Sequence, residues 1–424
     1  MILRDWSSDV CSSDLINVGE VHKLYGGKQK MKKRFIAAAM AAMVSAFAFA
    51  ACSGGSDSAS TASADGAEAS GAATTATGEE IKIGGLAPLT GDVSVYGIAA
   101  SNGAKLAVAE ANANGMNISF ECLDEKGDPN EATNAYDKLV ASGVVGIVGD
   151  VTSKPSIAVA QVAAQDNMPM ISGTATADEV TSAGPNVFRA CFTDPFQGEV
   201  MAKYAAEKLS LKKAAILYNN ADDYSEGLMK SFESTAATVG LEIVAKESYT
   251  GGDVDFKSQL TKIKSAGADC LFVPVYYQDV AQIAAQAKEV GVDVQLLGAD
   301  GWEGVIKQLG GNGTETVDGA YFCCQFSSSS EDEKVVNFVN AYKEAYDEEP
   351  SQFAALGYDA MMIMIESIEA AGSTDSQAII DAMQAIEYTG LTGTITFDEN
   401  GTPDKAATIT TIENGEYKVV EAYK

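Results

Sequence analysis

GVVGIVGDVTSKPSIAVAQVAAQDNMPMISGTAT, residues 143–176, is the stretch that decides the fold. GVVGIVG is a short uncharged run that stops at Asp150, and MPMIS is a second one that stops at Gly173. Between them, IAVAQVAAQDN places its apolar residues at helical spacing. Strand, helix and strand in this order make a βαβ unit, whose two strands run parallel.

The same alternation extends in both directions. IKIGGLAPL (81–89) reads as a strand and leads into a helix striped by Ala100, Ala104, Ala107 and Ala111. KKAAILYNN (212–220) precedes a helix with Leu228, Phe232, Ala236 and Val239 in register. LEIVAKESY, FKSQLTKIKSAG, DCLFVPVYY, VAQIAAQAKEVG and VQLLGADGW continue the pattern to residue 302. Short apolar runs separated by period-3.6 segments predict an α/β fold with parallel sheets. No sequence repeat of solenoid length is present. The globular part is longer than one hydrophobic core usually serves, so two domains are expected.

The first 79 residues follow other rules. MKKRFIAAAMAAMVSAFAFAAC (31–52) has Lys32, Lys33 and Arg34 followed by 17 uncharged residues, the layout of a secretory signal. Its end, Ala50-Ala51-Cys52, resembles a bacterial lipobox, with Cys52 as the lipidated first residue. Residues 52–79 are almost wholly small or polar after that cysteine, too poor in large apolar groups to offset chain entropy. They read as a flexible tether. Residues 1–30, with RDWSSDVCSSDL, have no apolar periodicity and read as an artefact or a misassigned start.

Composition removes several classes of function. The only histidine, His22, precedes the signal segment, so the mature chain lacks the commonest general base and metal ligand. No metal or cofactor is expected. The chain carries 29 basic and 59 acidic residues; from Cys52 onward 22 and 55 remain, a net charge of −33. That field repels nucleic acid and anionic headgroups. Cys122, Cys191, Cys270, Cys323 and Cys324 are scattered and form no spaced metal-binding pairs. Without a G-x-S-x-G elbow or a P-loop, an enzyme is not expected.

In open α/β sheets ligands sit just beyond the carboxyl ends of the strands. The residues there are Asp150-Val151-Thr152-Ser153, Gly173-Thr174-Ala175-Thr176, Asn219 to Tyr224, Tyr276-Tyr277 and Asp300-Gly301-Trp302. Ser153, with Pro155 behind it, reads either as a plain helix cap or as part of an anion site at a helix N-terminus. Asp300 reads either as a turn residue or as the partner of a ligand ammonium. Hydroxyls suited to a carboxylate and one acid suited to an amine together suggest an α-amino acid. Tyr96, Tyr224, Tyr276 and Trp302 would supply apolar walls, while Tyr277 alternates away into a lobe.

From residue 80 onward the chain resembles type I periplasmic substrate-binding proteins of the leucine/isoleucine/valine-binding family, which serve ABC importers. The matching pieces are IKIGGLAPLTGDVSVYG, VGDVTSKPSIAVA, ISGTATADEV, FRACFTDPFQG, NNADDYSEGL, FVPVYYQDVAQIAAQAKEVG, LLGADGW, FAALGYDAMMIM and GLTGTITFDENG, in the family's order. The resemblance implies two Rossmann-like lobes joined by a three-segment hinge. One would span residues 80–193 plus 325–390, the other 194–324 plus 391–424. It also implies that Thr152, Ser153, Thr174 and Thr176 hold the α-carboxylate and part of the ammonium. Tyr224, Tyr276 and Asp300 would close from the second lobe, with Tyr96 near the ligand side chain. Well-known members have glutamate where Asp300 stands, which shifts the amine or admits a water.

The expected function is therefore ligand capture by hinge closure for an importer of branched-chain amino acids. The chain would be a monomer, lipid-anchored through Cys52 to the outer face of a Gram-positive cell membrane, delivering ligand to a permease. Another amino acid, an amide or urea-like ligand, and a sensing receptor domain on the same fold are the alternatives.

Overall fold

The computed structural model describes residues 80–423. The signal segment, Cys52, the tether and residues 1–30 lie outside the described residues.

Strands β1 (Ile81–Ala87), β2 (Ile118–Asp124), β3 (Gly146–Val148), β4 (Met170–Ser172) and β5 (Val187–Arg189) alternate with helices α1 (Ser94–Ala113), α2 (Pro129–Ala141) and α3 (Ser153–Asp166). These five strands form a parallel sheet in the order β2-β1-β3-β4-β5. The chain continues through α4 (Asp194–Lys203), β6 (Lys213–Asn219), α5 (Asp223–Val239), β7 (Glu242–Tyr249), α6 (Lys257–Ala266), β8 (Cys270–Phe272), α7 (Tyr277–Val290), β9 (Gln295–Leu297), α8 (Val305–Leu309) and β10 (Tyr321–Cys324). It ends with α9 (Glu333–Tyr346), α10 (Gln352–Ala371), α11 (Ser376–Gln384), the hairpin β11 (Tyr388–Gly390) and β12 (Gly393–Ile395), then β13 (Ala407–Glu413) and β14 (Glu416–Tyr423).

The second sheet has the order β14-β13-β10-β9-β8-β6-β7. It is parallel from β7 to β10, with β13 and β14 added antiparallel at one side. Each sheet therefore reverses its strand order once, between β1 and β3 in the first and between β6 and β8 in the second. At such a reversal the two following helices leave on opposite faces and open a crevice. The loops after β1, β3, β6 and β8 border these crevices.

The apolar runs of the sequence are buried on both faces of their sheets, which is why they lack strict alternation. In the first sheet, Ile83, Val148, Ile171 and Phe188 face α1 and α10. Leu86, Ile147, Met170 and Val187 face α2 and α3. Each large side chain so buried contributes about 1.5–3 kcal/mol relative to exposure. Helix α2 begins where Asp128 accepts the N–H groups of Asn130 and Glu131, with Pro129 behind it.

The alanine stripe of α1 is buried, and it meets α10 at an unusually close crossing. A Cβ on Gly103 would lie 1.9 Å from Ala354 O, and one on Gly357 would lie 2.2 Å from Ala100 O. Only glycine permits this approach at both points.

The chain passes between the sheets three times, after β5, after β10 and after β12. The resemblance places the last return at about residue 391, but the stretch from 391 to 405 stays beside the first sheet. Leu391 N donates to Asp359 Oδ1 at 2.8 Å, and Thr392 donates to Asp359 Oδ2 through both N and Oγ1, at 2.9 and 2.6 Å. Arg189 N donates to Gly401 O at 3.0 Å. Buried Lys405 donates to Ala190 O and Thr392 Oγ1 at 2.8 and 2.6 Å, and burial lowers its pKa to about 8. A buried carboxylate with this many donors fixes the segment more firmly than the β-like pattern of its sequence suggests. Among the described residues no helix is long and apolar enough to cross a membrane.

Candidate functional site

Tyr96, Val151, Thr152, Ser153, Thr174, Thr176, Tyr224, Tyr276, Asp300, Gly301 and Phe353 line one small cavity between the two sheets. Its walls leave about 10 Å³ free, room for about one water. All the sequence-predicted ligand-binding residues except Trp302 meet here, from the segments after β1, β3, β4, β6, β8 and β9.

On the first-sheet side, α3 presents its N-terminus. The residue in cap position is Thr152, in extended conformation and without a side-chain cap bond, and not Ser153 as the sequence suggests. Ser153 is the first helical residue, and its hydroxyl oxygen accepts the Ala177 N–H at 3.2 Å. Its own proton remains to give. The first-turn N–H groups of a helix have no partner within it, so those of Ser153 and Lys154 favour an anion. Thr174 Oγ1 donates to Val151 O at 2.6 Å, and Ser172 Oγ donates to Asp150 O at 2.7 Å. Together these bonds brace residues 150–153 against the β4 loop.

On the second-sheet side, Tyr224 stacks on Tyr276 with ring centroids 4.8 Å apart and planes at 9°. The Tyr224 hydroxyl donates to Asp300 Oδ1 at 2.7 Å and accepts the Gly301 N–H at 2.9 Å. Asp300 N donates to Gln197 Oε1 at 3.0 Å. Burial raises the Asp300 pKa to about 6, opposed by the bonds from Tyr224 and Gln197. An acid in this state binds a cation with little further desolvation.

Several contacts join the two sides. Tyr96 on α1 donates its hydroxyl to Gly301 O at 2.5 Å and accepts the Tyr277 N–H at 3.1 Å. Its ring stacks on Phe353 at 4.1 Å. Tyr277 differs from expectation: it is buried, but its hydroxyl reaches Asp92 O at 2.8 Å on the other side. Lys154 Nζ donates to Ala221 O at 2.9 Å, and Gln352 Nε2 to Asp300 O at 3.2 Å. The arrangement is a closed one.

Trp302 requires a correction. It does not line the cavity; its ring is fully buried beneath the second sheet's loops, with Nε1 donating to Val273 O at 2.8 Å. Residues 300–302 form a 3₁₀ turn, and in a turn of three residues the side chain two positions on points about 120° away from the first. Trp302 therefore supports the turn that carries Asp300.

Sequence reasoning missed Asp194, Gln197 and Phe353. Asp194, at the start of α4, is fully buried beside Thr176 and adds its charge to the surroundings of Tyr224 and Tyr276. Burial raises its pKa well above the usual range, with the Thr176 hydroxyl opposing. Asp300 is the acid that lines the cavity, and Asp194 lies behind its wall. The signal was the DPF step in FRACFTDPFQG, which reads equally as an ordinary helix start. A larger hollow lies beyond Tyr96 and Phe353, but its half-buried acid, Glu303, is occupied by the Gln352 N–H at 3.1 Å.

A family profile described as periplasmic binding protein matches residues 80–416. The chain belongs to the periplasmic binding protein family. Among related proteins, the Leu/Ile/Val-binding protein BraC3 of Rhizobium johnstonii is 32% identical over 331 residues, covering 76% of this chain and 88% of that one. A branched-chain amino acid transporter substrate-binding protein, LivJ, from Streptococcus pneumoniae in complex with isoleucine is 36% identical. It superposes with a TM-score of 0.75, over 81% of this chain and 99% of the other. A leucine binding protein, LivK, from Thermotoga maritima gives 31% identity and a TM-score of 0.77 over the same shares. The fold of this periplasmic binding protein is thus the type I architecture of two α/β halves.

Proposed function

We propose that this binding protein captures a branched-chain amino acid, leucine, isoleucine or valine, outside the cytoplasm and presents it to an ABC importer. The observation that carries the reading is the placement of Asp300 and the α3 N-terminus on opposite sides of one small cavity. In this reading Thr152, Ser153, Thr174 and Thr176 take the carboxylate, aided by the Ser153 and Lys154 N–H groups. Asp300 takes the ammonium with Asp194 behind it, Tyr224 and Tyr276 cover it, and Tyr96 and Phe353 face the apolar side chain. The relatives named for leucine, isoleucine and valine support this choice of ligand.

Capture proceeds by hinge closure. Ligand first meets the hydroxyl loops of one lobe; closure then brings Asp300 and the tyrosines onto the amine, so ligand favours the closed state by its extra contacts there. We take the lobes to be residues 80–193 with 325–405, and 194–324 with 406–423. A lipid anchor at Cys52 and a docking permease complete the proposal: an anchored protein stays beside its transporter.

Isothermal calorimetry on protein unfolded and refolded to strip carried ligand tests the reading. Leucine, isoleucine or valine should bind, and Asp300→Ala should cost about 2–5 kcal/mol, the usual loss on truncating one member of a buried charge pair. Binding of an amide or of benzoate in preference to all three would overturn the ligand class. Detergent phase partitioning of Cys52→Ala tests the anchor; a variant that stays with the membrane phase counts against it.

A further inference from the structure

Directly behind the carboxylate-binding loop lie two acids that the binding mechanism does not use. Glu125, just after β2, and Asp150, just after β3, are both fully buried. Their carboxyl groups face one another. Among the described residues neither Glu125 oxygen nor Asp150 Oδ2 has a hydrogen bond of good geometry, although the Gly127 N–H lies close enough to Glu125 to favour its ionised form. Asp150 Oδ1 accepts the Val151 N–H at 2.5 Å. The backbone around Glu125 is fixed at both ends: its N–H donates to Ala87 O at 3.2 Å, and its carbonyl accepts the Asp128 N–H at 3.0 Å.

Two buried carboxylates in contact without a cation cannot both be ionised; sharing one proton satisfies both. We propose that Glu125 is a positioning residue for ligand binding, its carboxyl proton bridging to Asp150 Oδ2 and so holding residues 151–153 in their binding conformation. The proposal rests on the assignment of residues 152 and 153 to the ligand carboxylate. If the bridging proton is lost, two like charges repel inside the core, and Asp150 is adjacent to Val151, whose carbonyl anchors Thr174. Displacement of Asp150 is thereby passed to Thr152, Ser153 and Thr174 together.

The surrounding charges do not relieve the pair. Asp124 on β2 adds a further negative charge to Glu125. Cys122, also on β2, is a half-buried thiol that desolvation pushes up to about 11, with Lys105 of α1 acting on it in the opposite direction. Asp128 at the start of α2 is engaged with the Asn130 and Glu131 N–H groups. Around Asp150 the β4 loop offers the Thr174 hydroxyl, α1 offers that of Ser101, and α10 offers only Gly357; Ser172 Oγ is committed to Asp150 O. Burial, first in each case, pushes both carboxyls above the usual range; mutual repulsion adds to it for Glu125.

The test compares wild type with Glu125→Gln, whose amide donates as the protonated acid does but never ionises, and with Glu125→Leu, which fills the space and donates nothing. Calorimetry with L-leucine or L-isoleucine from pH 7 to 10 is read as the ratio of wild-type to variant affinity, because the ligand's own amine titrates equally in all. Glu125→Gln should bind like wild type at pH 7. Above the pH at which the bridging proton leaves, wild type should lose about tenfold in affinity per pH unit relative to Glu125→Gln. Glu125→Leu should be weaker than Glu125→Gln by about tenfold or more at pH 7, as expected for a buried acceptor left without its donor. Equal affinity of the Leu and Gln variants, or a constant ratio of wild type to Gln up to pH 10, would overturn the proposal.

Denaturant unfolding without ligand separates this from a wrong ligand assignment. The folded pair holds a proton that the unfolded chain releases, so this contribution to stability falls as pH rises; in Glu125→Gln only the smaller part due to buried Asp150 should remain. Should Glu125→Leu fail to fold, Asp150→Asn with native Glu125 should shift the alkaline loss of stability to lower pH, because the neighbouring charge is gone while the burial remains; an unchanged loss would count against the pair.

Discussion

Tyr224 gives its hydroxyl proton to Asp300 Oδ1 over 2.7 Å and takes the Gly301 N–H over 2.9 Å, so one phenol fixes both the acid and the turn that carries it. Replacing it with phenylalanine leaves the stacking surface for Tyr276 but strips a partner from two buried groups. Leaving a buried group unpaired costs about 1–3 kcal/mol. Tyr224→Phe should therefore weaken ligand binding by roughly tenfold or more, with each tenfold worth about 1.4 kcal/mol. Loss of its bond should also raise the Asp300 pKa further. Calorimetric titrations at several pH values check both effects.

Asp300 predicts a pH dependence of its own. An ammonium prefers the ionised acid, whose pKa is about 6 without ligand. Affinity should be flat above about pH 7 and fall as pH drops through 6, with protons released on binding near that pH. Calorimetry in buffers of different ionisation enthalpy counts those protons. For ligand-free protein the sign is opposite: a raised acid pKa gives stability that is present below about pH 4 and lost as pH rises through about 6. Ligand should reverse that loss.

The Tyr96 hydroxyl ties the two sides without any ligand, through Gly301 O and Tyr277 N. Tyr96→Phe leaves both without this partner, and a loss of about 1–3 kcal/mol falls on the closed state alone. Small-angle scattering of ligand-free Tyr96→Phe should show a larger radius of gyration than wild type, and saturating ligand should restore it. Identical ligand-free profiles would show that this bond does not control closure.

At the crossing of α1 and α10, helix propensity and packing oppose each other. Alanine is better than glycine in a helix interior by about 1 kcal/mol. Yet its Cβ at position 103 would lie 1.9 Å from Ala354 O, on backbone that cannot rotate away. Overpacking of this kind costs about 1–3 kcal/mol or more, so Gly103→Ala should lower the melting temperature despite its propensity gain. Thermal unfolding followed by circular dichroism decides the sign.

Much of the cavity was legible because a buried parallel strand must be apolar, so the first polar residues after it mark the sheet's carboxyl edge. Thr152, Ser153, Thr174, Thr176, Tyr224, Tyr276 and Asp300 were found in this way, without side-chain geometry. Trp302 was misplaced because adjacency in sequence says nothing about direction in a tight turn. Asp194 was hidden because an acid at the start of a helix already has a local explanation in the helix dipole. Phe353 comes from a helix whose every face is apolar in places, leaving no pattern to single it out. The late return of the chain at 405 depends on Asp359, an acid within an apolar helix whose partners lie over thirty residues away.

The order of strands along the chain has a consequence for biogenesis. The first sheet ends with β5 at residue 189, but the helix that covers one of its faces, α10, begins only at residue 352. The second sheet gains its last two strands after residue 406. Neither half can be finished while the C-terminal quarter is still on the ribosome, so both halves lock only when synthesis is nearly complete.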